Sequence, residues 1–164
     1  MKYLLPSLTA LMLAVLCISC KPSAEQIMQN ADSLKNMYKS VVDAHQVLSQ
    51  TYETYIAADM DAAHKTLDEN LKKASAAIAK IEVLEGCENL ANAVKASLEV
   101  YKTVADVDSK EQIRIYKIDD ANFTDELREK WDGIARSVET KTKQADADVE
   151  KAYSEVAKQF SNKK

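Results

Sequence analysis

The sequence predicts an all-α protein, a long antiparallel up-down four-helix bundle preceded by an export signal. After the first twenty residues the chain has only Pro22, Gly86 and Gly133 as turn-favouring punctuation. A β-rich fold would therefore lack the turn residues it needs. Apolar residues instead recur at steps of three and four over long stretches, which indicates amphipathic helices. Removing the signal leaves about 144 residues, enough for one bundle domain over residues 24–164.

The first nineteen residues have the pattern of a secretory signal. Lys2 supplies a positive charge, and the uncharged run Leu4–Ile18 is too short to cross a hydrocarbon core that needs roughly 20 helical residues. The run ends Leu-Cys-Ile-Ser-Cys at positions 16–20, which resembles a lipobox, although cysteine stands where leucine is usual. We expect a lipoprotein signal peptide over residues 1–19, a lipid on Cys20 and a tether over residues 20–23. The alternative is an ordinary signal peptide cut by another peptidase.

The expected lipid determines the predicted location. A single acyl chain binds a membrane only marginally, whereas a lipidated cysteine normally carries at least two chains, so the anchor should be stable. Lys21 follows Cys20. An aspartate at that position usually retains lipoproteins at the inner membrane, so Lys21 favours the outer membrane of a double-membraned bacterium. We expect an exported protein, lipid-anchored to the cell envelope.

The first two helices are predicted from their inward-facing residues. Helix one runs from Ala24 to about Ala57, with an apolar seam at Ile27, Ala31, Leu34, Tyr38, Val41, His45, Leu48, Tyr52 and Tyr55. Helix two starts around residues 58–61, where the acidic residues offer N-caps. Its seam is at Met60, His64, Leu67, Leu71, Ala74, Ile78 and Ile81, with Leu84 near the end. Gly86 fits the left-handed position that ends such a helix.

The second half of the chain predicts two further helices. Helix three runs from about Glu88 to Lys117, and its polar middle at residues 106–110 is expected to fray or bend. Thr124 fits an N-cap after the loop 119–124. Helix four then runs from Asp125 to about Phe160, with a seam at Leu127, Trp131, Ile134, Val138, Lys141, Ala145, Val149, Ala152, Val156 and Phe160. An up-down-up-down bundle is the natural packing; three helices or a helix-swapped dimer are the alternatives.

Several helical patterns carry a family resemblance. They are Tyr-x-x-x-Val-x-x-x-Gln at 38–46, Leu-Lys-Lys-Ala at 71–74 with Ile-x-x-Ile at 78–81, Leu-x-x-Ala at 90–93 with Leu-x-x-Tyr at 98–101, and Ala-Tyr-x-x-Val-Ala-Lys-Gln-Phe at 152–160. With them the mature chain resembles a family of uncharacterised bacterial helical-bundle lipoproteins and surface proteins of spirochaetes and Bacteroidota. The resemblance implies a secreted helical bundle and supplies no activity.

Few residues suggest chemistry. His45 and His64 both fall on inward positions, but an antiparallel hairpin would hold their rings about 10 Å apart along the axis, too far to share a metal. A covalent haem would need a C-x-x-C-H motif, and nucleophilic catalysis would need a base beside the nucleophile. We therefore expect no enzyme, cofactor or metal, and no nucleic-acid partner. Cys87 is expected to be a small apolar residue at the bundle end; the alternative is an intermolecular disulfide.

The aromatic residues suggest where binding would occur. If helix one leaves the membrane at its start, one end of the bundle is distal, and a candidate binding tip gathers there: Phe123, Trp131, Tyr52, Tyr55 and Tyr116. These are also suitable residues for sealing a core, but Tyr and Trp are enriched at binding hot spots. The opposite end carries Lys158, Lys163 and Lys164, which can contact anionic headgroups weakly.

The preferred function from sequence is a non-enzymatic interaction or structural module of the cell envelope, with a protein partner or a homo-oligomer. The alternative is a small-ligand-binding envelope lipoprotein with a pocket between its helices. A catalytic bundle, which would need a bound metal, is the third class.

Overall fold

The computed structural model describes residues 21–54 and 56–160, and in this part of the chain every regular element is helical. Its elements are α1 (Ala24–Thr54), α2 (Ala57–Ile78), α3 (Glu88–Thr103), a π-helical segment (Val104–Ser109), α4 (Lys110–Tyr116), a 3₁₀ turn (Asp120–Asn122) and α5 (Asp125–Phe160). Because α3, the π segment and α4 are continuous, they form one long third helix. The predicted all-α four-helix bundle is confirmed.

The long helices alternate in direction, as contacts at the two ends show. At the near end, where α1 begins, Asn30 of α1 binds the segment after α2, accepting from the Leu84 amide at 3.2 Å and donating to the Glu82 carbonyl at 2.8 Å. At the opposite, distal end, the Lys117 ammonium lies 2.7 Å from Asp61 at the start of α2. Within the bundle α1 packs on α2 and α5, and α3 packs on α5, α1 and α2.

The core extends from the near end to the distal end, where Leu48, Met60 and Ile115 are still buried. Its completely buried aliphatic residues come from every long helix: Leu34, Val41, Leu67, Leu90, Val94 and Val149. Interleaved alanines such as Ala31 and Ala105 allow the helices to approach closely. This shared interior supplies the hydrophobic stabilisation that four isolated amphipathic helices would lack.

A polar network crosses the middle of this core. The hydroxyls of Tyr38 and Tyr101 both donate to one carboxylate oxygen of Asp146, the latter at 2.9 Å. Their rings meet edge to face with centroids 5.8 Å apart. Burial, aided by the Asp146 carboxylate, raises the pKa of both tyrosines, so both remain protonated donors. The network therefore ties α1, α3 and α5 together.

The polar middle of the third helix does not fray. It continues as the π segment, whose wider turns leave backbone carbonyls without their usual helical partners. Nε2 of His64, on α2, donates to the carbonyl of Ala105 in this segment at 2.8 Å. His64 thus has a structural partner across the helix interface.

The second helix ends earlier than the sequence predicts. It stops at Ile78 rather than near Leu84, because Asn30 takes over backbone groups of the following segment. Gly86 does have a positive φ, 97°, but it lies in the loop before α3 and does not cap α2. A Cβ at Gly86 would also lie 2.8 Å from the Phe160 ring. A larger residue would therefore force that ring to move, in addition to straining the backbone.

The fourth predicted helix, α5, has the expected bounds, and the Thr124 hydroxyl accepts from the Leu127 amide at 3.3 Å, which confirms the N-cap. One inward position is wrong. Lys141 is exposed and pairs with Asp108 at 2.9 Å, while Thr142 is buried in its place and bonds the Val138 carbonyl. Steps of four and then three carry the inward face from Val138 to Ala145 through residue 142.

Candidate functional site at the distal end

Four of the five predicted tip aromatics meet at the distal end. Tyr52, Tyr116, Phe123 and Trp131 line one groove of about 350 Å³, which we call the distal groove, together with Ile118 and Asp120. Tyr55, the fifth, lies outside the described residues. The groove is therefore built from α1, the end of α4, the loop after it and the start of α5.

Local structure explains how these side chains converge. Tyr52 lies on the last turn of α1, and Trp131 lies on the second turn of α5. Their rings pack edge to face with centroids 5.8 Å apart and an interplanar angle of 87°. The 3₁₀ turn Asp120–Asn122 places Phe123 in extended backbone directly before the N-cap of α5. All four groove aromatics remain partly exposed.

A second depression, the side cleft, opens on the flank of the bundle. Its volume is about 420 Å³, and Tyr52 and Trp131 form a wall common to both sites. The remaining lining comes from α1, the π segment, α4 and α5: His45, Ser49, Glu53, Ser109, Gln112, Ala135, Val138, Glu139 and Thr142. The sequence offered a pocket between the helices as an alternative, without assigning residues to it.

Two polar atoms of the wall shared by the side cleft and the distal groove lack hydrogen-bond partners among the described residues. The Tyr52 hydroxyl and the Trp131 indole nitrogen are buried and have no hydrogen-bond partner among the described residues. Gln112 also lines the cleft and is only 3% exposed. Burial raises the pKa of Tyr52 to about 12, and the Ser109 side chain opposes part of that rise. Such unpaired groups are costly unless something binds them.

The charge around the two depressions is mainly negative. Between Ile118 and Leu127 the loop and helix start carry four acidic residues and no basic one. Glu53 and Glu139 are exposed and line the side cleft. Glu111 is different, because Arg114 and Lys130 bind it and lower its pKa to about 2. Anionic ligands are therefore disfavoured at both openings.

The two histidines have separate surroundings. His45 packs edge to face on Tyr101 at 5.3 Å, and burial lowers its pKa against the opposing effect of Asp146. His64 bonds the Ala105 carbonyl and lies 3.8 Å from Asp68. Among the described residues no group of three or more His, Cys, Asp or Glu side chains could hold a metal.

The near end offers less. Cys87 is fully buried, its thiol contacts the Ile27 carbonyl at 3.5 Å, and burial raises its pKa. That environment agrees with the predicted small apolar role and makes the thiol a poor nucleophile. Lys158 is exposed on the last turn of α5, whereas Cys20, Lys163 and Lys164 lie outside the described residues.

Sequence reasoning missed Ser109, Gln112 and Thr142, all buried polar residues of the side cleft. Ser109 lies within the polar stretch 106–110 and Gln112 follows it three residues later, and this spacing was the available signal. The inward positions of Ser109 and Gln112 could not be predicted from this spacing, because the π segment changes which face of the helix points inward. A regular 3.6-residue period does not contain that change.

None of the helices in the described chain is long and apolar enough to cross a membrane. Comparison with known proteins gives no family: no protein-family model, no curated protein and no solved structure matches this chain at a significant level.

Proposed function

We propose that this chain is a bacterial envelope lipoprotein, anchored through Cys20 in the outer membrane, whose helical bundle binds a protein partner at its distal end. In this proposal it is a non-enzymatic interaction module, in keeping with its resemblance to helical-bundle lipoproteins and surface proteins. The supporting observation is the distal groove, in which four partly exposed aromatic side chains from four parts of the chain line one opening.

The position of the groove suits presentation to a partner. α1 starts beside the expected tether and spans 31 residues, which places its far end about 45 Å away at 1.5 Å per residue. An anchor at Cys20 would hold the near end at the membrane and leave the distal end facing outward. Ile56, half exposed in the turn before α2, adds apolar surface at this end.

The chemistry of the groove indicates the partner. Its aromatic lining suits an apolar side chain inserted as an anchor, since buried aromatic contacts dominate binding energy at interfaces. Asp119, Asp120, Asp125 and Glu126 surround Phe123 in the sequence. A protein segment with an apolar anchor flanked by Lys or Arg would match both features, and the charges would increase its association rate.

Site-specific photo-crosslinking in intact host cells tests the partner. A photoreactive phenylalanine analogue replaces Phe123 in one variant and Val47 in another; Val47 is an exposed apolar residue on α1 outside both depressions. We expect one discrete adduct from position 123 and none from position 47. Adding Asp119→Asn and Asp120→Asn should reduce the adduct several-fold. Equal adducts from both positions, or none from position 123, would contradict the proposal.

The anchor has its own test. We expect metabolic labelling with a palmitate analogue to label the wild-type chain, and the Cys20→Ser variant to lose the label and the membrane fraction together. Cys87→Ser is the matched control, because this thiol is buried in the folded domain, and it should keep both. Labelling that survives Cys20→Ser would remove the anchor from the proposal.

A further inference from the structure

We infer that the side cleft is a second binding site, separate from the distal groove, for a small aromatic amine that carries a hydrogen-bonding oxygen. This goes beyond the proposed function, which concerns a protein partner at the distal end. Three features of the cleft carry the inference: its size, its unpartnered polar atoms, and the charge at its mouth.

The cleft is too large for a single bound water. Its volume of about 420 Å³ lies within the range of small-molecule sites, roughly 300–1,000 Å³, whereas one water occupies about 30 Å³. Trp131, Ala135 and Val138 supply an apolar wall along α5. A planar ring is the ligand part that such a wall accommodates best.

The polar atoms of the cleft define what the ring must carry. The Trp131 indole N–H can only donate, and the Tyr52 hydroxyl can donate or accept; both are buried and lack partners among the described residues. Gln112, which is 3% exposed and lines the same cleft, adds an amide donor and an acceptor. A ligand hydroxyl or carbonyl oxygen would satisfy these groups. Without such a partner, each buried donor or acceptor carries the free-energy cost of its lost hydration.

The mouth selects the ligand's charge. Glu53 and Glu139 line the cleft, and among the described residues no Lys or Arg is part of its lining. An ammonium group would be attracted to these carboxylates, and a carboxylate of equal size would be repelled. A ligand with an oxygen at its inner end and an amine at its outer end fits both sets of groups.

The π segment is the structural reason that the cleft exists. It carries Ser109 into the buried lining and sets Gln112, one turn further along, on the same side. Insertions of this kind are frequent at functional sites. Along the facing α5, no residue before Val138 is fully buried, which leaves room between the two helices.

The single tryptophan of the chain gives a direct readout, because the indole N–H of Trp131 yields one cross-peak in a ¹H–¹⁵N correlation spectrum. The probes are tyramine and 3-(4-hydroxyphenyl)propionate, which share a ring and a hydroxyl and carry opposite charges. We expect tyramine to shift the peak saturably with a Kd of about 1 mM or tighter, the affinity range of a fragment-sized ligand. The anion should bind at least about tenfold more weakly.

Two variants separate this site from the distal groove. Gln112→Leu changes only the cleft lining and should weaken tyramine about fivefold, the effect of one net hydrogen bond. Phe123→Ala changes only the groove and should leave tyramine binding intact. No saturable shift, equal binding of both probes, or a loss confined to Phe123→Ala would each overturn the inference, whatever the fate of the protein partner.

Discussion

The near two-thirds of the bundle and its distal third are packed differently. In the near part, buried aliphatic residues from all long helices meet and the tyrosine hydroxyls share Asp146. In the distal part Leu48, Met60 and Ile115 are still buried, but the first three turns of α5 contain no fully buried residue. The groove aromatics there are partly exposed, and two buried polar atoms lack partners in the described chain.

This difference separates stability from binding within one fold. A region with saturated contacts gains nothing from a ligand, whereas a region with unpaired polar atoms and exposed aromatics gains both hydrogen bonds and apolar burial. We therefore interpret the near part as the scaffold that holds the fold and the distal part as the surface that binds. The predictions below contrast matched positions in the two parts.

The largest contrast is between two leucines. Leu34 is completely buried in the near part, so Leu34→Ala should cost about 2–5 kcal/mol of unfolding free energy. Leu127 is half-buried on the first turn of α5, so Leu127→Ala should lower the free energy of unfolding by only about 1 kcal/mol or less. Urea denaturation of residues 21–164 measures both. Equal losses would mean that the distal part is packed as tightly as the near part.

The next effect concerns the polar network. Asp146→Ala leaves the buried hydroxyls of Tyr38 and Tyr101 without their acceptor and should cost about 1–3 kcal/mol. Asp32→Ala is the control, since it removes the acceptor of the exposed Tyr153 hydroxyl, a bond of 2.6 Å, and should cost about 0.5 kcal/mol or less. If Asp146→Ala leaves the free energy of unfolding unchanged in the same urea experiment, the network contributes little to the stability of the scaffold.

A smaller effect should depend on pH. Burial lowers the pKa of His45 below its ordinary 6.5, so the unfolded chain binds the proton more readily than the folded one. The His45 contribution is therefore complete above pH 6.5 and declines as the pH falls below it. The His45→Gln variant should lose less stability between pH 7 and 5.5 than the wild type, by less than about 1 kcal/mol. Identical pH profiles would show that His45 titrates as it does in the unfolded chain.

The smallest expected effect on stability is in the side cleft. Gln112→Leu removes a polar side chain that is 3% exposed and keeps most of its volume, so the free energy of unfolding should change by about 1 kcal/mol or less, in the stabilising direction. Thermal unfolding measures the shift. A clear loss of stability would mean that Gln112 has an internal hydrogen-bond partner, and the contrast between the two parts would weaken.

The sequence predicted the fold well where local signals and packing agree. Thr124 and the acidic first turn fixed the start of α5, and alternating steps of three and four located the core of α1. It also brought four of the five tip aromatics to one end, because hairpin connectivity alone puts the turns together.

Its failures arise from tertiary contacts and from changes in helical period. The early end of α2 depends on Asn30, which is some fifty residues away in the chain. The sequence placed Lys141 on the inward face where Thr142 is found, because helical periodicity allows either residue between Val138 and Ala145. The side cleft depends on the π segment, and no regular periodicity contains it.

The most direct test of binding at the distal end is hydrogen exchange of the lipidated protein, compared between native host membranes and the purified state. We predict slower hydrogen exchange in the membranes at residues 116–131 and in the last turn of α1, with unchanged exchange at residues 84–94. Slowing confined to the near end, or no difference anywhere in the bundle, would contradict it.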